Sequence, residues 1–256
     1  MRLALVGNPV EHSKSPIIFH FLFDVMKLDA SYEKILLHSA HEIPALFEKG
    51  MDGINITAPF KQSVISFLDE LSDEAQEIGS VNTVVLKKGK LIGYNTDYLG
   101  VVNALEEKVA DLSSKWCLVL GAGGAARATI YGLKTEDAVV QVYNRNQDKA
   151  KALSEEFDVD FISEENLEKA VANADIIIDT LPAGIQILKQ EWLHAGLTVL
   201  DASYPHSVYE KSNTVYLIRG ENWLLHQALP AFKLFTGIKL NTKDYNQEVL
   251  NLLIKS

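Results

Sequence analysis

The run Trp116-Cys117-Leu118-Val119-Leu120-Gly121-Ala122-Gly123-Gly124-Ala125-Ala126-Arg127 decides the fold. Its first five residues are a short apolar run, as in a strand buried on both faces. A glycine turn and a helix-favouring alanine stretch follow. Gly121, Gly123 and Ala126 take the G-x-G-x-x-[GA] positions. In such a turn the first glycine permits the tight bend and the second lets backbone approach a pyrophosphate. The small third residue lets helix meet strand. Free N–H groups at the helix start favour phosphate, so Gly121, Ala122, Gly123, Gly124 and Ala125 form the expected dinucleotide cradle. A bare structural turn could use the same glycines; the flanking strand and helix favour the dinucleotide.

Further apolar runs of strand length follow at Val139–Tyr143, Ile176–Asp179, Thr198–Asp201 and Val215–Ile218. Helical patterns separate most of them, the βαβα order of a parallel sheet covered on both faces. Upstream, Leu3–Val6, Tyr32–Leu37, Gly53–Thr57, Val81–Leu86 and Leu91–Tyr94 read as strands. Pro16–Leu28, Glu42–Lys49 and Asp69–Ile78 read as helices. The runs flanking Lys87-Lys88-Gly89-Lys90 predict a hairpin with a glycine-containing turn. A helix over Tyr98–Lys108 replaces a floppy linker near residue 100. Two more, Asn222–Phe235 and Lys243–Lys255, end the chain.

Bulk properties narrow the function. A length of 256 residues suits two domains, and 47% hydrophobic residues can fill their cores. A formal charge of −10 disfavours nucleic acid, yet leaves small anions open because screening acts within roughly 8 Å. The single cysteine, Cys117, lies in an apolar run and reads as buried and inert. The apolar start stops at Gly7, too short for a secretory core, and no stretch reaches the roughly 18 apolar residues of a membrane span. A cytoplasmic protein acting on small molecules is expected, with no metal.

The strand Val139–Tyr143 ends in Asn144-Arg145-Asn146. An NAD site usually places an acid there for the ribose hydroxyls, and none is present. Asn144 can pair with the ribose and Arg145 with a 2′-phosphate, so NADP is favoured; a solvated loop arginine is the plainer alternative.

Four polar clusters in the first hundred residues exceed what folding needs. In Gly7-Asn8-Pro9-Val10-Glu11-His12-Ser13-Lys14-Ser15-Pro16, Ser15 reads as a helix N-cap before proline. With Ser13 it also offers two hydroxyls to a carboxylate at a helix start. In Gly53-Ile54-Asn55-Ile56-Thr57-Ala58-Pro59-Phe60-Lys61, alternation sends Asn55 and Thr57 to one strand face. Lys61 follows at the start of an expected helix; alone it would read as a surface cation. Gly79-Ser80-Val81-Asn82-Thr83 and Gly93-Tyr94-Asn95-Thr96-Asp97 complete the set, with Thr96 or Asp97 able to cap the next helix. Reducing a ketone leaves charge on oxygen, which a lysine paired with an aspartate can meet.

Six runs in order, GNPVEHSKSP, GINITAPFK, GSVNTV, GYNTD, GAGGAARA and LLHQALPAFKLFTG, span residues 7 to 237 and together resemble the shikimate dehydrogenase family. The resemblance implies an α/β chain. Its N-terminal α/β substrate domain would cover 1–101, completed by helices in 221–256. A Rossmann-like doubly wound NADP domain would cover 102–220. It implies reduction of 3-dehydroshikimate to shikimate by a monomer or homodimer. Matched by position, it assigns Ser13 and Ser15 to the substrate carboxylate, and Asn55, Thr57, Asn82, Asp97 and Gln227 to ring hydroxyls. Lys61 and Asp97 become the catalytic pair, and Tyr204 a tyrosine near the substrate. Asn144, Arg145 and Gly220 become cofactor contacts. Three departures stand out: Asn146 replaces the family's threonine, Trp223 replaces its methionine, and the Tyr204–Gly220 segment is short enough to lose a helix. An NAD-preferring quinate/shikimate dehydrogenase and a non-catalytic sensing module stay open as alternatives.

Overall fold

The computed structural model describes residues 1–210, 212–240 and 242–255. The chain forms two compact units, Met1–Asp97 with Leu224–Ser256, and Tyr98–Trp223. The first division falls four residues before the expected 101. Val101, Val102 and Leu105 explain the shift, since all three are buried in the core of the second unit.

The first unit opens with β1 (Arg2–Gly7), α1 (Ser15–Met26), β2 (Ser31–Leu36), α2 (Ile43–Glu48) and β3 (Gly53–Ile56). It continues with β4 (Glu70–Leu71), α3 (Asp73–Ile78), β5 (Thr83–Lys87) and β6 (Lys90–Tyr94). The sheet order is β2-β1-β3-β5-β6-β4. β1 pairs parallel with both β2 and β3, while β5 runs antiparallel to β3 and β6. Lys88 (φ 52°) and Gly89 (φ 77°) make the two-residue hairpin turn between β5 and β6.

One expected helix is shorter than its pattern. Asp69 N–H donates to Leu91 O, and Leu91 N–H donates back to the Asp69 carboxylate, so the chain first adds β4 to the sheet. Ser72 then caps α3 by accepting from Ala75 N–H at 3.2 Å, with Asp73 and Glu74 in the first turn. Gly79, left-handed at φ 64°, ends the helix and turns the chain toward Asn82. Lys61 likewise precedes only a 3-10 run, Ser63–Phe67, and not the expected α-helix.

The second unit begins inside α4 (Asp97–Glu106). It continues through β7 (Trp116–Leu120), α5 (Gly124–Thr135), β8 (Val139–Tyr143), α6 (Gln147–Phe157) and β9 (Asp160–Phe161). α7 (Leu167–Asn173), β10 (Ile176–Asp179), β11 (Thr198–Asp201) and β12 (Tyr216–Ile218) complete it. All its pairings are parallel, in the order β12-β11-β10-β7-β8-β9. This is the doubly wound order, with the switch point between β7 and β10. Apolar layers cover both faces. Cys117 and Val119 face one, with Ile130 and Leu133 of α5; Leu118 and Leu120 face the other, with Val171 of α7.

The chain ends with α8 (Gly220–Thr236) and α9 (Thr242–Lys255). Leu225, Phe232, Val249 and Leu253 bury against Ile18, Phe19 and Leu22 of α1 in the core of the first unit. Among the described residues no helix is long and apolar enough to cross a membrane.

Cys117 is fully buried, and burial pushes its thiol up to about 12. A thiol reagent at pH 8 should therefore leave the native protein unlabelled and modify one thiol per chain in urea; rapid native labelling would contradict this packing.

Candidate active site

The polar floor of the first unit is built on strand ends. Asn55 of β3 is buried and fully engaged. Its Oδ1 accepts from Tyr32 O–H at 2.8 Å, and its Nδ2 donates to Thr83 Oγ1 at 2.9 Å and Asn82 O at 3.3 Å. Tyr32 stacks on Phe19 with ring centroids 4.2 Å apart and planes at 11°, which fixes its hydroxyl under Asn55. Thr57, just beyond β3, is half-buried, its N–H donating to Val6 O at 2.9 Å.

Asn82 joins the remaining groups. Its Oδ1 accepts from Thr96 N–H at 2.8 Å and from Thr83 O–H at 3.0 Å. Its Nδ2 lies 2.9 Å from Thr96 Oγ1, 2.9 Å from Asp97 Oδ1 and 3.1 Å from Gln227 Oε1. Asp97 uses its other oxygen, Oδ2, to accept from Lys61 Nζ at 2.7 Å. The Lys61 and Asp97 side chains keep only 17% and 8% of their exposure. Val81 N–H donates to Lys61 O at 2.7 Å and ties the lysine backbone to the chain entering β5. Asp97 is the first residue of α4, and its N–H is held by Asn95 Oδ1 at 2.9 Å. Thr96 also bonds Asn82, and the Asp97 carboxylate bonds Lys61 and Asn82. The helix start also favours that negative charge.

Ser13 and Ser15 are brought together, though not as a simple cap. Helix α1 begins at Ser15, with Lys14 in the N-cap position and no side-chain capping bond. Ser15 therefore does not cap α1. Instead Ser13 O–H donates to Ser15 Oγ at 3.2 Å, and Ser15 N–H donates to Ser13 Oγ at 3.3 Å. The stability expected of a Ser15 cap shifts in part to Ser13.

In the second unit the glycine turn has the conformation its pattern requires. Gly121 stands at φ +119°, and a Cβ there would lie 2.3 Å from Thr180 Oγ1, so only glycine fits. A Cβ on Gly123 would meet nothing within 4 Å, which leaves open space in front of α5. No side chain caps α5, so its first N–H groups are not used by a capping bond. Ala122 and Ala125 pack partly into the core behind them. Arg127 turns away from this cradle. It pairs with Glu156 of α6 and lies over the Phe157 ring at 5.2 Å.

At the end of β8, Asn144 Nδ2 donates to Asn146 O at 3.2 Å. Asn146 Oδ1 caps α6 by accepting from Lys149 N–H at 3.0 Å. Arg145 is exposed and takes no part in the described unit's ion pairs, which join Arg127–Glu156, Lys115–Asp175, Arg219–Glu210 and His206–Glu210. Asn146 thus gives its side chain to the helix, and Arg145 is the loop's exposed cation.

Tyr204 lies in a loop wired to the sheet. Asp201 accepts from Ser203 O–H at 2.6 Å and Ser207 O–H at 2.5 Å, and Asp179 accepts from Tyr209 O–H at 2.7 Å. Burial, with Asp201 nearby, pushes the Asp179 carboxyl up to about 6. A Cβ on Gly220 would lie 2.7 Å from Ala202 O, so backbone meets backbone there and glycine is required. The described part of 205–215 contains turns and no helix. Trp223 is buried in the core of the unit, among Ile218 and its neighbours.

The sequence assigns no role to Tyr32 or Thr83, and to Thr96 only a possible cap. The two threonines stood inside the quoted clusters; Tyr32 looked like one more apolar strand residue. Tyr32→Phe should cost about 1 kcal/mol in urea unfolding, the size of one buried hydrogen bond. An unchanged midpoint would mean that the other bonds of Asn55 suffice.

Comparison with known proteins follows the same division. Residues 5–84 match the family model described as shikimate dehydrogenase substrate binding domain. Residues 103–219 match that described as shikimate / quinate 5-dehydrogenase. The shikimate dehydrogenase (NADP(+)) of Pyrococcus furiosus is 39% identical over 252 residues, covering 91% of this chain and 89% of its own. The crystal structure of the Aquifex aeolicus shikimate dehydrogenase superposes with a TM-score of 0.88 at 33% identity, covering 97% of each chain. That of the Thermus thermophilus shikimate 5-dehydrogenase, in complex with NADP(H) and shikimate, superposes at 0.86 and 30% identity, covering 98% of this chain and 99% of that one. With both units matched and the likeness running through nearly the whole length, the chain belongs to the shikimate dehydrogenase family.

Proposed function

We propose that this protein is an oxidoreductase that reversibly reduces 3-dehydroshikimate to shikimate with NADP, within chorismate and aromatic amino-acid biosynthesis. One observation carries the reading: a Lys61–Asp97 ion pair, 2.7 Å long, set among buried neutral amides and hydroxyls. Pure binding of a hydroxylated ring needs the neutral groups but no proton donor. A ketone reduction needs both.

We assign the substrate to the first unit and NADP to the second. Ser13 and Ser15 would receive the carboxylate, Asn55, Thr57, Asn82, Asp97 and Gln227 would orient the ring hydroxyls, and Tyr204 is the tyrosine that the family resemblance assigns to the substrate. The glycine turn fits a pyrophosphate, because open space lies in front of Gly123 and the α5 N–H groups are uncapped. Asn144 would meet the adenosine ribose, Arg145 the 2′-phosphate, and the Gly220 backbone the nicotinamide end. NADPH, when bound, supplies the hydride. Lys61 then gives a proton from Nζ to the substrate carbonyl oxygen as charge develops there, and recovers one from solvent. Asp97 holds the ammonium in place and accepts from a substrate hydroxyl. The proposed setting is the cytoplasm, with small molecules as partners and a monomeric or homodimeric enzyme.

Steady-state assays crossing shikimate and quinate with NADP and NAD test the proposal. The highest kcat/KM should fall on shikimate with NADP. A maximum on quinate with NAD would select the other dehydrogenase reading, and no turnover with any pair would select the sensing module.

Lys61→Ala and Lys61→Met should each lower kcat about 10²- to 10⁴-fold, the range of general acid–base catalysis, with shikimate Kd moving less than about tenfold. Near-parental kcat, where chemistry limits turnover, would remove Lys61 from the mechanism. Arg145→Ala should raise the KM for NADP roughly 10- to 150-fold, as for a charge-assisted contact, and leave that for NAD nearly unchanged. Equal losses with both cofactors would make Arg145 a structural residue.

A further inference from the structure

Lys14 lies between the two serines, and the roles given to them leave its side chain unused. It is only 7% exposed, although a lysine on a polar loop ordinarily keeps its ammonium in water. Its Nζ donates to Leu253 O at 2.6 Å, across 239 residues of sequence. Leu253 belongs to the last turn of α9, whose negative dipole end favours a cation. That turn is firmly seated. Leu253 and Val249 are fully buried beside Ile18, Phe19 and Leu22 of α1, and Tyr245 meets Phe21 edge-on at 6.3 Å. Lys14 therefore ties the peptide just ahead of α1 to a fixed point on the C-terminal helix. On either side of that peptide, Ser13 and Ser15 bond to each other, and Lys14 holds the turn between them at φ −95°, ψ 2°.

We infer that Lys14 is a positioning residue. By anchoring its ammonium on the last turn of α9 it fixes the backbone between Ser13 and Ser15, and so the spacing of the two hydroxyls that meet the substrate carboxylate. The inference rests on the proposed shikimate reading, which assigns that carboxylate to the serines. It gives α9 a part in substrate recognition although no residue of α9 is assigned to the substrate.

The test is the kinetics of full-length Lys14→Met, which keeps the apolar stem and removes the donors. The KM for shikimate should rise about tenfold, the size of a lost charge-assisted hydrogen bond, while kcat and the KM for NADP stay within about twofold. In a Ser13→Ala background the same change should cost less than about threefold, because the geometry it protects is already lost. Lys14→Arg, which keeps the charge and donors, should recover most of the affinity. Lys14→Gln, with a shorter neutral donor, gives a second variant, with a smaller rise in KM, should Lys14→Met not fold. Parental KM in either folded variant, or a loss fully additive with Ser13→Ala, overturns the inference and leaves the proposed function standing. A parent enzyme that neither binds nor turns over shikimate overturns the proposed function and this inference with it.

Discussion

Asn82 is 2% exposed, and the polar floor of the first unit is arranged around its carboxamide. A buried amide offers two donors and one two-lone-pair acceptor, and leaving any unmatched costs about 1–3 kcal/mol. Asn82 meets that demand with Thr83, Thr96, Asp97 and Gln227, drawn from β5, the chain beyond β6, and α8. The same bonds orient the Asp97 carboxylate, so that its second oxygen faces Lys61. A network satisfied this fully is rigid, because shifting one member strands another. Asn55 extends it to Tyr32 and Phe19, so the Lys61–Asp97 pair at one end rests on an aromatic stack at the other.

The second unit solves a different problem with backbone in place of side chains. Its parallel sheet is apolar on both faces, so polar groups collect at the carboxyl ends of the strands, where open α/β sheets in general bind ligands. There β7 delivers Gly121, β8 delivers Asn144 and Arg145, and β11 delivers the Tyr204 loop. The loop is held by carboxylate–hydroxyl bonds from Asp201 and Asp179, which need no helix to support them. That arrangement accounts for the short Tyr204–Gly220 segment: Tyr209 is buried and bonded to Asp179, with turns alone leading to it.

Much of this was legible in the amino-acid sequence, and the failures have physical causes. β7, β8, β10 and β11 have the bounds read from their apolar runs, because strands buried on both faces leave predominantly hydrophobic stretches. The two-residue strands β4 and β9 are too short to carry a period, and β4 was hidden inside a helical pattern. Ser15 matched a capping pattern, yet the helix starts at that residue and the serines bond to each other, a choice made by tertiary contacts. Lys61 and Asp97 were singled out as a chemically sensible pair; only the folded chain brings their side chains to 2.7 Å across 36 residues. Gln227 came from family resemblance alone, since nothing local to α8 announces that its amide reaches Asn82. Lys14 gave no signal, because a lysine in a polar stretch looks solvated until the last helix arrives.

Asn82 thus holds the proposed catalytic pair and also the groups proposed for the ring hydroxyls. The most direct measurement is kcat for shikimate oxidation by Asn82→Ala, taken at saturating shikimate and NADP so that weakened binding does not enter. Loss of the hub should lower kcat at least about tenfold, since it frees the carboxylate that holds Lys61 and misplacement of a reacting group is costly in rate. Parental kcat, with the whole effect confined to KM, would show that Asn82 only grips the substrate, and that the pair holds its geometry without it.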